Sequence, residues 1–216
     1  MPDGSSAGPP KISGDYPVGL EADERLHDDS VVRFRPIRHT DGEAMTAFHE
    51  SLSARSVYRR FFFSHPRLSE GEVERFTHVD YVDRMAFVVV DDGRIVGVGR
   101  YERLEGTDEA EVAFVVTDTY QRQGIGALLL DHLADAGRRQ GITRFTAQTL
   151  SENRDMIGVF LASGFPVVTS SEGGTVTVRF PIEPTDGYVE AWERRSSRST
   201  LEASETPDGS DATGAP

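Results

Sequence analysis

The apolar positions change period several times along the chain. Val31–Ile37 alternates, which predicts a first strand. From Thr40 or Asp41, either able to cap, Ala44, Phe48 and Leu52 recur at helical spacing. Residues 53–63 predict a second helix that ends in Phe61, Phe62 and Phe63. Ser69 caps a short third helix running to Phe76, with an acidic first turn. Residues 86–90 and 94–101 read as strands joined by Asp91-Asp92-Gly93, a hairpin signal.

The most informative stretch is Glu109–Ala127. Residues 109–116 are rich in β-branched and apolar side chains, as a largely buried strand requires. A polar break, 117–120, follows. Leu128, Leu129, Leu133 and Ala136 then repeat at helical spacing until Arg138, Arg139 and Gly141 close the helix. Residues 145–150 predict another strand. Asn153 opens a helix to Phe160, and a hairpin of 167–169 and 175–180 turns around Glu172-Gly173-Gly174. The succession β, α, α, α, three strands, α, β, α, β, β predicts an α/β mixed sheet with helices on both faces.

Composition sets the boundaries. Residues 1–29 are rich in Gly, Pro, Ser and Asp and read as a disordered acidic tail, and the chain turns polar again from Pro184. In that second tail Tyr188, Val189 and Trp192 predict a short docking helix at 186–196. The domain is expected over residues 30–183. Net charge is −13, of which residues 1–29 contribute −5 and 184–216 contribute −4, leaving −4 for the domain. That balance argues against nucleic acid or an anionic membrane surface as partner. No run approaches the roughly 18 apolar residues of a membrane span, and no signal sequence opens the chain, so a cytoplasmic protein is expected. The absence of cysteine excludes disulfides, thiolate zinc sites and a cysteine nucleophile. The histidines show no metal-ligand spacing, and no metal is expected.

Gln121-Arg122-Gln123-Gly124-Ile125-Gly126 joins the strand to the helix. Glycine in a helix's first turn costs roughly 1 kcal/mol relative to alanine, which makes sense where something must approach the backbone. A helix N-terminus presents free N–H groups and a positive dipole end, so a phosphate fits there. No lysine follows for a Walker loop. Leu129 stands where the dinucleotide fingerprint needs a small residue. The pattern Gln121-x-x-Gly124-x-Gly126 does resemble the signature of the GNAT superfamily of N-acetyltransferases.

The resemblance extends from about Val31 to Pro181. It implies a GNAT-like fold, with a central, mostly antiparallel twisted sheet flanked by helices, and acetyl-CoA as co-substrate. It places the pyrophosphate on the loop Gln121, Arg122, Gln123, Gly124, Ile125, Gly126 and Ala127, and the pantetheine arm against Phe114, Val115 and Val116. Asn153 and Met156, in the later helix, are also implied as cofactor contacts. Glu111-Val112-Ala113-Phe114, Arg59-Arg60-Phe61-Phe62 and Asp80-Tyr81-Val82-Asp83-Arg84 resemble segments of bacterial Pat-type protein lysine acetyltransferases. Their catalytic glutamate matches Glu111.

Amine acylation needs a neutral nitrogen, and a lysine with pKa near 10.4 is mostly charged at pH 7, so a general base helps. Glu111 is the candidate base, to be tuned by burial, with Glu109 in reserve. Phe160 stands where the family often has a proton-donating tyrosine; Tyr120 is an alternative donor. The expected acceptor is a protein lysine, with AMP-forming acyl-CoA synthetases as the partner that the resemblance suggests. A small-molecule amine, or a catalytically silent acyl-CoA-binding module, are the readings left open.

Overall fold

A computed structural model describes residues 14–200, with side chains to residue 195. Eight strands form one sheet: β1 (Ala22–Arg25), β2 (Val31–Pro36), β3 (Arg84–Asp91), β4 (Arg94–Arg103), β5 (Glu109–Val116), β6 (Arg144–Leu150), β7 (Val168–Glu172) and β8 (Thr175–Pro181). Their order is β1-β2-β3-β4-β5-β6-β8-β7. Every neighbouring pair is antiparallel except β5 and β6. That parallel pair is possible because a helix, α4 (Ile125–Arg139), provides the crossover between them.

The helices cover both faces. On one, α4 sets Ile125, Leu129, Leu130 and Leu133 against Phe34, Met85, Phe87 and Val89. On the other, α1 (Gly42–Ser51) and α2 (Ala54–Phe61) set Met45, Phe48 and Val57 against Ala86, Val88 and Val98, and α3 (Glu70–Thr77) lies alongside with Phe76. Alternate residues of β3 therefore serve opposite layers, and its centre is buried throughout, as expected of a strand covered on both sides. α4 lies close to the sheet: a Cβ on Gly99 would come within 3.1 Å of Leu129 and Leu133. α5 (Arg154–Leu161) packs beside α4 and sends Phe160 into an aromatic group with Phe114 and Phe180.

Two expectations about the tails need correction. Within the stretch read as disordered, residues 14–29 are built into the fold. β1 adds an edge strand through the register Ala22↔Phe34 to Arg25↔Val31, and Leu26 is 3% exposed in the core. Tyr16 and Arg33 anchor Glu21, the first by its hydroxyl and the second by an ion pair at 2.8 Å. The docking helix of the second tail is α6 (Asp186–Thr200), longer than the expected 186–196. It is seated by Tyr188, stacked on Phe165 at 4.3 Å, and by Arg195, whose fork meets Asp131 of α4. Expectations for residues 1–13 and 201–216 lie outside the described residues. No helix among the described residues is long and apolar enough to cross a membrane.

Candidate active site

β5 and β6 pair over only three residues, Glu109↔Arg144 to Glu111↔Thr146, and then splay. Beyond Glu111, the β5 edge that faces β6 has no strand partner among the described residues. The wedge becomes a cleft walled by Val112–Val116 of β5, Ala147–Thr149 of β6 and Met156 and Val159 of α5. The N-terminal turn of α4 closes one end, with Gln121, Arg122, Ile125 and Gly126 in its lining, and Glu111 lies at the other. Sheet register and crossover thus bring together an unpaired strand edge, a helix N-terminus and a carboxylate.

Gln123, Gly124 and Ala127 border a second depression of about 990 Å³ on the outer side of the loop. Arg25, His27 and Arg194 join Arg122 there. The loop and these arginines border a space suited to phosphates. Arg25, His27 and Arg194 were not anticipated, because all three lie in the stretches read as tails. Only the pattern of arginines near the chain ends could have flagged them.

The loop is held in shape from several sides. Gly124 sits at φ +92°, and a Cβ there would lie 2.9 Å from His27 Nε2. His27 N–H donates to Gln123 O at 3.2 Å, and its ring nitrogen Nδ1 lies 3.3 Å from Arg122 O. A Cβ on Gly126 would meet Val159 at 3.3 Å. Both glycines therefore answer to packing by the N-terminal segment and α5, in addition to any ligand. Gln121 turns inward: its Nε2 donates to Val116 O and Ser56 Oγ, both at 3.1 Å. Asp118 receives Ser53 N, Ser53 Oγ and Ser56 Oγ, tying the start of α2 to the start of the loop. These bonds hold the Asp118 carboxyl below its ordinary range, although burial opposes them. Asn153, buried in the cleft wall, caps α5 by accepting from Met156 N.

Glu111 is exposed on the cleft wall, so the burial expected to tune it is absent. Its charged neighbour is Arg60: loss of water pushes the Arg60 guanidinium's pKa down, and the Glu111 carboxylate pushes it back up. Glu109, the reserve, is paired with Arg144 at 2.8 Å. Arg59 crosses the cleft to Asp155 at 3.5 Å while its Nε is buried with no partner among the described residues. Tyr120 donates its hydroxyl to Asp91, which raises its pKa and commits it to a structural bond. Phe160 is 1% exposed in the core.

The three phenylalanines separate. Phe61 is half-buried against His65 with centroids 4.7 Å apart, Phe62 lines the cleft, and Phe63 is exposed. Asp80-Tyr81-Val82-Asp83-Arg84 builds a turn, with Asp80 Oδ1 receiving three successive amides and Tyr81 at φ 60°. His78 ends α3, with Nδ1 near Thr77 Oγ1 and Glu74 O. Among the described residues no cluster of three or more metal-ligating side chains occurs.

The cleft and the fold define an acyltransferase of the GNAT type. The chain belongs to the acetyltransferase (GNAT) family, whose model matches residues 51–165. It is 32% identical over 158 residues to "Acetyltransferase PA5475" of Pseudomonas aeruginosa, covering 71% of this chain and 82% of that protein. It is 31% identical over 156 residues to "Acetyltransferase Pat" of Mycolicibacterium smegmatis, covering 70% of this chain but 46% of that protein. The crystal structure of the GNAT domain of S. lividans PAT superimposes with a TM-score of 0.74 at 40% identity, covering 77% of this chain and 99% of that one.

Proposed function

We propose that this acetyltransferase moves acetyl from acetyl-CoA to a lysine side chain of a protein, with Glu111 as general base. One observation carries the reading: a single cleft runs from the α4 N-terminus, along the free β5 edge, to the Glu111 carboxylate. The amides of Arg122–Ala127 would hold the pyrophosphate, with Arg25, Arg122 and Arg194 near its outer phosphates. The free edge at Phe114 and Val115 would pair with the pantetheine arm. Val116 O is already engaged by Gln121, so that position would contribute its side chain. Asn153 and Met156 would flank the arm from α5. The donor supplies an activated thioester carbonyl.

The chain's own residues supply the remainder. Glu111 accepts the ammonium proton, directly or through one water, and frees the lone pair. Its exposure leaves water exclusion to the docked acceptor. With Phe160 apolar and Tyr120 bonded to Asp91, neither of these two positions offers a proton to the leaving thiolate; a thiolate of ordinary basicity departs without one. Exposed Tyr58, Phe62 and Phe63 at the end of α2 form an apolar rim suited to a protein surface. The relation to Pat proteins supports the same acceptor class.

The test is to incubate the protein with acetyl-CoA and an AMP-forming acyl-CoA synthetase, then map acetyl-lysine by mass spectrometry. Site-specific acetylation is expected. Acetylation of small amines with none on protein would move the acceptor to that class.

A further inference from the structure

Glu111, Ala113 and Val115 share one face of β5, the face under α1 and α2. Beneath those helices lies a cavity of about 30 Å³, and Arg60, Ala113 and Val115 line both it and the catalytic cleft. Its other walls are largely apolar, including Met45, Phe48, Phe61 and Phe76. Two guanidiniums interrupt that lining: Arg60 of α2 and Arg100 of β4.

Among the described residues neither arginine has a carboxylate within ion-pair distance. Arg35, Arg59, Arg138 and Arg195, comparably covered, each have one. Arg60 makes no side-chain hydrogen bond among the described residues and only lies over the Phe61 ring at 5.1 Å. Arg100 gives one bond, from Nη2 to Phe76 O at 3.3 Å, and stacks on Phe76 at 4.3 Å. Withdrawal from water, then the like charge of Arg60, pushes the Arg100 pKa down to about 9. Glu102, the carboxylate nearest Arg100 in sequence, is bound to Arg75 at 3.0 Å. A chain of net charge −13 has thus gathered cations at one point and left most of their donors unmatched among the described residues. Covered charges are normally paired, and a guanidinium fork matches a carboxylate.

We propose that Arg60 and Arg100 form a carboxylate subsite for the acceptor, so that the enzyme favours amines carrying a carboxylate a short chain away from the reactive nitrogen. The cavity has room for a carboxylate-sized group, its apolar walls suit a methylene stem, and it shares Arg60, Ala113 and Val115 with the cleft that Glu111 lines. The subsite rests on the acetyltransferase reading above. The carboxylate has two sources: an acidic side chain flanking the target lysine in a protein, or the α-carboxylate of a free amino acid.

The experiment measures thiol release from acetyl-CoA with two matched pairs: a lysine peptide flanked by glutamate against the same peptide with glutamine, and free lysine against lysinamide. In the wild type, one pair should show a preference of about tenfold or more in kcat/KM for its carboxylate member, which identifies the source. Arg100→Gln should bring that ratio near one, mainly through KM, and Arg100→Lys should restore part of it. Equal wild-type kcat/KM within both pairs overturns the subsite and leaves the acetyltransferase reading standing. No release above the amine-free rate with any of the four amines overturns both.

Discussion

Glu111 of β5 is opposite Thr146 of β6 in the last register pair before the two strands separate. The candidate base therefore sits where strand pairing stops and the cleft starts. Three pairs hold the strands together, and the crossover through α4 fixes where they part. The site follows from the sheet's topology as much as from any single residue.

The loop before α4 depends on a backbone that only glycine takes easily. Gly124→Ala would place a Cβ at positive φ and against His27. A destabilisation of about 1–3 kcal/mol is expected, read as a lower melting temperature. Weaker acetyl-CoA binding by calorimetry should accompany it. An unchanged Tm and Kd would show that the loop tolerates the side chain.

The N-terminal segment carries a pH dependence. Hydrogen bonds from Tyr16, then Arg33 and Arg38, hold the Glu21 carboxyl down at about 2, from an ordinary 4.5. A depressed carboxyl stabilises fully above its unfolded value, and that contribution is lost as pH falls from about 4.5 towards 2. Protection factors of the β1 amides, taken against the intrinsic exchange rate at each pH, should fall as pH drops across that window, and Glu21→Gln should flatten the dependence. Protection that ignores pH there would mean Glu21 does not anchor the segment.

α6 is held by buried contacts on an otherwise polar helix. Tyr188→Ala removes a side chain stacked on Phe165 and placed near Arg138. A loss of about 3 kcal/mol in unfolding free energy by urea titration is expected. A change below about 0.5 kcal/mol, the level of a neutral surface substitution, would show α6 to be a dispensable attachment.

From Val31 to Pro181 the order of helices and strands was legible, because most elements there bury one stripe or alternate residues and so write their period into the chain; β7, exposed throughout, was marked instead by the turn glycines that follow it. β1 was not. Ala-Asp-Glu-Arg has no apolar alternation, and it becomes a strand by pairing with β2 and by the bonds made to Glu21. The signature glycines drew attention to the loop that closes one end of the cleft. Their contacts with His27 and Val159 were invisible, since they come from segments far away in sequence. The exposure of Glu111 was likewise beyond a linear pattern: alternation marks a face of β5, but not where β6 stops covering its edge. Asp80–Arg84, read only as a segment resembling the Pat-type enzymes, forms a turn because one aspartate gathers three amides.

The measurement that bears most directly on this account is thiol release from acetyl-CoA by wild type and Glu111→Gln in parallel. Each would meet an AMP-forming acyl-CoA synthetase and a panel of small amines, with acetyl-CoA affinity measured separately. The account predicts release with the synthetase, a fall of roughly 10²–10⁴-fold in kcat for the variant, and little change in acetyl-CoA Kd. Equal turnover by the two proteins would contradict it and remove Glu111 from its role.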